Sequence, residues 1–307
     1  MNKIIVIVGP TASGKTDLSI KIAKKFNGEC INSDSTQIFK GTDIATNKIT
    51  KEEMQGIKHH LISIREVNEK YSVADFQKDA RKKIDDILKK GKTPIIVGGT
   101  GLYVNAVLMN YNFVNKDHIK NFEQKYNHIS NEEIWHILNL KDKEEAKKIY
   151  FNNRKRVIRA LEIIEINKGI EKTKIIKNNK KYFYNNLLII GLFPQREKLY
   201  SRIDNRVFIL TEQGFFKEIE NAYKANNFNK KAQALKCIGG PEIIRYLEKE
   251  ITYDECIKLM QKNNRHYARR QLTWFKNQLE NIKWFEHSYE NYDQITDEIV
   301  DYIKLNI

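Results

Sequence analysis

The stretch Ile4-Ile5-Val6-Ile7-Val8-Gly9-Pro10-Thr11-Ala12-Ser13-Gly14-Lys15-Thr16 decides the architecture. Five consecutive apolar residues read as a strand buried on both faces. The turn that follows matches a phosphate-binding loop: its backbone N–H groups converge on an anion, Lys15 adds a charge, and the next helix adds its N-terminal dipole. Leu18, Ile22 and Phe26 follow at helical spacing, completing the strand, loop and helix context that the motif requires. Gly9, Pro10, Thr11, Ala12, Ser13, Gly14, Lys15 and Thr16 are therefore candidate ligands of a diphosphate or nucleotide, with the Thr16 hydroxyl available to Mg²⁺. The loop leaves the phosphorylated molecule open, since kinases, NTPases and transferases share it.

Beyond the loop, short apolar runs alternate with amphipathic helices through the first hundred residues. That pattern predicts an α/β core, a P-loop NTPase-like parallel sheet flanked by helices. Strands are expected over residues 4–8, 29–32, 93–97 and 187–193. Ser72-Val73-Ala74-Asp75 forms a capping box, and Phe76, Ala80, Ile84, Ile87 and Leu88 then share one helical face. The segment between a helix starting near Leu102 and the strand at 187 has no strand signal. It predicts a mostly helical insertion domain over 112–186, within a core built from 1–111 and 187–307. The clearest helix there carries Val157, Leu161 and Ile164 as an apolar stripe, with Arg156 and Arg159 on its flank. Residues 172–184, rich in lysine and ending Tyr182-Phe183-Tyr184, read as an exposed or mobile arm. From Arg196 onward the pattern reads as helical.

The chain of 307 residues is 41% hydrophobic and carries a net charge of +15, enough for a substantial core and suited to a polyanionic partner. A Lys- and Asn-rich composition would also coat any surface with solvated charge, so the distribution matters more. Residues 110–186 hold 17 basic against 10 acidic residues. Residues 256–279 hold Lys258, Lys262, Arg265, Arg269, Arg270 and Lys276 with no acid, whereas 280–307 are acidic. Such segregation points to a surface stripe for nucleic acid. No apolar stretch approaches the roughly 20 residues that span a bilayer, so a cytoplasmic chain without membrane contact is expected. Cys30, Cys237 and Cys256 lie far apart and suggest neither a disulfide framework nor a zinc site.

Two further clusters follow predicted strands. Asn32-Ser33-Asp34-Ser35-Thr36-Gln37-Ile38-Phe39-Lys40 comes after the second. In a parallel sheet the C-terminal strand ends face one crevice, which sets Asp34 across from Lys15. A carboxylate there can hold Mg²⁺ through water or accept a proton from a nucleophile; it can also simply form a turn. Gln37 suits recognition of a base edge. Gly98-Gly99-Thr100-Gly101-Leu102-Tyr103 follows the third, where glycines admit an anion and the Thr100 hydroxyl can bond a phosphate oxygen. The three loops together outline a site for group transfer.

With these motifs in hand, Ser33 through Gly41, Tyr71-Ser72-Val73-Ala74-Asp75-Phe76, Val97 through Tyr103, Arg156 through Glu162 and Arg269-Arg270-Gln271-Leu272-Thr273-Trp274-Phe275, joined to the phosphate loop, resemble the tRNA dimethylallyltransferase family. The resemblance implies transfer of a dimethylallyl group from dimethylallyl diphosphate to the N6 amine of the adenine next to the anticodon. It implies Lys15, Thr16 and Mg²⁺ at the leaving diphosphate, Thr100 at its bridging oxygen, and Asp34 as acceptor of the N6 proton. It further implies tRNA contacts from Asp34, Ser35, Thr36, Gln37, Thr100, Lys120, Lys155, Arg156, Arg159, Arg269 and Arg270, with the insertion clamping the anticodon stem. Lys236 stands where some members carry a diphosphate-binding arginine. Gln271, Trp274 and Phe275 read as helix-packing residues. The chain departs from the family pattern at Ile238-Gly239-Gly240-Pro241-Glu242, and at Ala45 and Asn47. A monomer with no obligate protein partner is expected. A prenyltransferase of free adenine nucleotides, a small-molecule kinase and a nucleotide-switched RNA-binding protein remain the competing readings.

Overall fold

A computed structural model describes residues 3–111, 119–177 and 181–307. By chain contacts it divides into two compact units, one of Met1–Val107 with Asn185–Ile307 and one of Leu108–Tyr184.

The first unit is built on six strands: β1 (Ile4–Val8), β2 (Gly28–Asn32), β3 (His59–His60), β4 (Thr93–Gly98), β5 (Leu187–Pro194) and β6 (Ile282–His287). Their order is β3-β2-β4-β1-β5-β6 and every pair is parallel. β1 lies at the centre with all five residues buried, which is why it reads as a continuous apolar run. Helices α1 (Lys15–Lys25), α2 (Val73–Lys89) and α3 (Gly101–Leu108) follow β1, β3 and β4. The Ser72 and Asp75 capping box opens α2, and Phe76, Ala80, Ile84 and Ile87 are buried along it. At the outer end of β2 the buried Glu29 carboxylate takes His60 Nε2 at 2.7 Å and Lys92 Nζ at 2.9 Å, tying β2 to β3 and to the start of β4.

The helical unit contains α4 (Asn131–Lys141), α5 (Lys143–Ala146), α6 (Arg154–Ile166) and α7 (Lys172–Lys177). Val157, Leu161 and Ile164 of α6 pack with Phe122, Ile134, Leu138 and Ile149 in this unit's own core. Each such buried side chain contributes roughly 1.5–3 kcal/mol. The expected exposed or mobile arm over 172–184 is only partly exposed among its described residues. α7 occupies its start, and Met109 bridges Tyr182 where the chain returns, with Phe183 N donating to Leu108 O at 2.7 Å; residues 178–180 of this expectation lie outside the described residues.

After β5 the chain forms α8 (Arg196–Glu212), α9 (Phe215–Ala225), α10 (Gly240–Leu247), α11 (Tyr253–Gln278) and, past β6, α12 (Tyr292–Asn306). The expectation of helix throughout this region fails at residues 282–287, which form β6, parallel to β5. Lys283 and Glu286 interrupt its apolar residues, so the run has no buried-strand signature; pairing with β5 and the Trp284 ring over Gly191, where a Cβ would come within 2.4 Å, make it a strand. The departure at Gly240-Pro241 is a helix start: Pro241 occupies the first turn of α10, where its missing N–H costs nothing. No helix among the described residues is long and apolar enough to cross a membrane.

Candidate active site

The C-terminal ends of β1, β2 and β4 are neighbours in the sheet, and the loops that leave them line one crevice of about 620 Å³. Thr11, Ala12, Ser13, Gly14, Lys15, Thr16, Asp34, Ser35, Thr36, Gln37, Thr100, Lys236 and Arg270 all border it. Gly9 and Pro10 begin the loop behind them. Arg269 lies exposed on the same helix as Arg270, α11. Lys120, Lys155, Arg156 and Arg159 belong to the helical unit. There Lys120, Lys155 and Arg156 are exposed, while Arg159 donates to the buried Glu162 carboxylate at 2.6 Å.

The phosphate loop holds its shape by unusual backbone angles. Gly14 caps α1 at φ 90°, and Ala12 sits at φ 64°, a left-handed conformation that costs an alanine about 1–2 kcal/mol. Two tyrosines from the C-terminal segment compensate. Tyr289 Oη donates to Ala12 O at 3.0 Å and Tyr292 Oη to Gly14 O at 2.5 Å, engaging the loop carbonyls. Lys15 Nζ donates to Pro10 O at 2.5 Å. Burial lowers the Lys15 ammonium from its ordinary value to about 7; the Asp34 carboxylate opposes this shift and the Arg206 guanidinium adds to it. Ser13 Oγ is buried and has no hydrogen-bond partner among the described residues.

Asp34 makes the turn that its residue type allows. Its Oδ1 accepts from Thr36 N at 2.9 Å and from Thr36 Oγ1 at 2.7 Å, forming the turn, while among the described residues Oδ2 takes no hydrogen bond. The carboxylate is thus oriented with one oxygen unspent. Thr100 Oγ1 accepts from Ser35 N at 3.1 Å, which joins the second loop to the third.

Gln271 is buried, as a packing residue should be, yet its amide does more than pack. It accepts from Thr11 N at 2.8 Å and donates to Gly99 O at 2.9 Å, clamping the phosphate loop to the third loop. Gly99 must be glycine for this, because a Cβ would stand 2.2 Å from Gln271 Nε2. One turn earlier on α11, the Tyr267 phenol meets the side chains of Thr100 and Gln271, and burial raises its pKa far above the ordinary value. Trp274 and Phe275 fit the packing reading: Gly101 lies against the Trp274 ring and Phe275 is fully buried.

Sequence reasoning missed Arg202 and Arg206, which line the crevice from α8. Burial and then the neighbouring Arg202 lower the Arg206 pKa, although a guanidinium stays charged at any working pH. The available signal was an i, i+4 arginine pair on the helix directly following a core strand. Tyr289 and Tyr292, within the segment marked only as acidic, had no comparable signal.

For Mg²⁺, no group of three or more His, Cys, Asp or Glu among the described residues forms a metal cage. The donor set still suits this ion, which keeps its waters and takes one or two protein oxygens beside phosphate oxygens. Thr16, at the first turn of α1 and on the crevice wall, offers such an oxygen.

An anion cradle beside an oriented carboxylate, at the switch between parallel strands, belongs to a P-loop enzyme of group transfer. The family model described as IPP transferase matches residues 37–278. The tRNA dimethylallyltransferase of Anoxybacillus flavithermus is 42% identical over 98% of this chain and 96% of its own. The tRNA isopentenylpyrophosphate transferase of Bacillus halodurans superposes with a TM-score of 0.75 at 39% identity, over 100% of this chain and 97% of that one. A eukaryotic dimethylallyltransferase acting on tRNA superposes with a TM-score of 0.86 at 29% identity, covering 100% and 81%. The chain belongs to the IPP transferase family.

Proposed function

We propose that this protein transfers a dimethylallyl group from dimethylallyl diphosphate to the N6 amine of the adenine next to the anticodon in tRNA, giving N6-isopentenyladenosine. The observation that carries this reading is the Asp34 carboxylate, held on one oxygen by Thr36 and, among the described residues, unbonded on the other, across a crevice from Lys15. In the reaction N6 forms a bond to the first prenyl carbon, the carbon–oxygen bond to the diphosphate breaks, and the N6 proton passes to Asp34 Oδ2. An exocyclic adenine amine is a poor nucleophile, so placing the base against it is what accelerates the step. Negative charge collects on the leaving diphosphate, where the loop N–H groups and Lys15 act, with Arg202, Arg206 and Lys236 as further cations on the wall. The Thr100 hydroxyl serves the bridging oxygen. Thr16 would hold Mg²⁺, which when bound neutralises diphosphate charge. The adenine must leave the anticodon stack to reach the crevice. Asp34, Ser35, Thr36, Gln37, Thr100 and Arg270 meet it there, while Arg269 and, from the helical unit, Lys120, Lys155, Arg156 and Arg159 contact the RNA backbone. The acceptor locates this work in the cytoplasm.

The test is incubation with dimethylallyl diphosphate, Mg²⁺ and unmodified tRNA, followed by nucleoside mass analysis. Prenylated adenosine in the tRNA is expected; turnover of ATP alone, or equal modification of free AMP, would overturn the reading. Asp34→Asn should lower single-turnover transfer by about 10²–10⁴-fold, the usual contribution of a general base, with tRNA affinity kept within a few-fold by filter binding.

A further inference from the structure

The loop over residues 43–47 forms one wall of the crevice through Ala45, Thr46 and Asn47. It has only turns, and its shape is imposed from a distant helix. The backbone N–H groups of Asp43, Ile44 and Ala45 converge on the Glu218 carboxylate in the first turn of α9, at 2.6, 3.0 and 2.6 Å. Successive N–H groups aimed at one point form an anion-binding concavity, and each bond to a carboxylate is roughly twice as strong as a neutral one. Within the loop, Thr46 Oγ1 donates to Thr42 O at 2.6 Å, and the buried Lys48 ammonium donates to Phe39 O at 2.6 Å and to Ser63 Oγ at 3.0 Å. Asn47, at φ 45°, takes the left-handed angle that asparagine tolerates better than alanine.

This scaffold offers two carbonyls, those of Thr46 and Asn47, to Gln37 Nε2 at 3.0 and 3.4 Å. Only the nitrogen end of an amide can satisfy carbonyls. Gln37 is therefore held as an acceptor through Oε1, a group that complements an exocyclic amine and repels a guanine carbonyl.

We propose that Glu218 is a positioning residue for recognition of the acceptor base: by gathering the 43–45 N–H groups it fixes the carbonyls that orient Gln37. This rests on the tRNA prenylation proposed above. Glu218→Ala and Glu218→Gln are to be compared with the parent enzyme in prenyl transfer to a tRNA anticodon arm, in dimethylallyl diphosphate binding, and in amide hydrogen exchange over residues 43–45. For Glu218→Ala, KM for the RNA should rise roughly tenfold, as expected when charged hydrogen bonds are lost. Its kcat and its diphosphate affinity should stay within about twofold, while exchange at 43–45 accelerates. Glu218→Gln, which keeps one acceptor oxygen, should fall between the two. An unchanged KM, or equal losses in KM, kcat and diphosphate affinity, would show a merely structural glutamate. Should the alanine variant not fold, the glutamine variant carries the comparison. If the parent enzyme does not prenylate tRNA, the function fails by itself, and hydrogen exchange still decides whether Glu218 holds the loop.

Discussion

Lys15 shows how one side chain couples the site to pH. Its free-state pKa of about 7 arises chiefly from burial, and a bound diphosphate raises it by opposite charge, so binding takes up a proton. The sign follows directly: affinity is fully present below about pH 7 and falls by up to about tenfold per pH unit above it, until the bound-state pKa is reached. Titration calorimetry of dimethylallyl diphosphate between pH 6 and 9 (a range of about three units) should show this decline, with proton uptake that depends on buffer. Lys15→Arg is expected to lose the decline that belongs to the lysine, because guanidinium does not deprotonate in this range, while ionisation of the ligand itself is common to both proteins. An identical pH profile for the two would remove Lys15 from the phosphate site.

Helix α11 serves both faces of the protein it crosses. Its buried side presents Gln271, which joins two loops that are far apart in sequence, Thr11 and Gly99. Gln271→Leu leaves an N–H and a carbonyl without partners, and should lower unfolding free energy by about 2–4 kcal/mol. The same variant should reduce kcat more than tenfold, since loops displaced by a fraction of an ångström no longer hold the reacting groups in line. Gln271→Glu keeps the bond to Thr11 N but sets a carboxylate against Gly99 O, so denaturant melts should place it between the two. The outer side of α11 presents Lys258, Lys262, Arg269 and Lys276 to solvent. Arg265 differs from these, for it is bound to Asp204 at 2.6 Å and is half-buried. Of the six cations read as one stripe, Arg265 is thus structural in its contacts, and Arg270 lines the crevice.

Taken together, the two units carry a charge that should be felt as salt dependence. Each phosphate contact removed reduces the slope of log affinity against log salt by about 0.7–0.9. Arg269→Ala and Arg156→Ala should each do so while leaving the transfer rate from a saturated complex unchanged; Arg265→Ala should lower stability with little effect on the slope. Filter binding across 50 to 200 mM salt, the range over which such contacts show roughly, separates these outcomes, and an unaltered slope in both exposed-residue variants would end the case for a phosphate-binding surface. The parallel sheet, the phosphate loop, and the facing of Asp34 and Thr100 were legible from residue order, because buried parallel strands and helix N-termini are local patterns and strand ends share a side by rule. The edge strand at 282–287, the tyrosines beneath the phosphate loop, the Gln271 clamp and the Glu218 cradle were not. Each joins residues distant in sequence through one or two hydrogen bonds or one ring contact, and leaves no periodicity behind. Local chemistry therefore marks the candidate groups, while long-range packing settles how firmly they are held; the first is written in neighbours along the chain, and the second exists only once the chain has closed on itself.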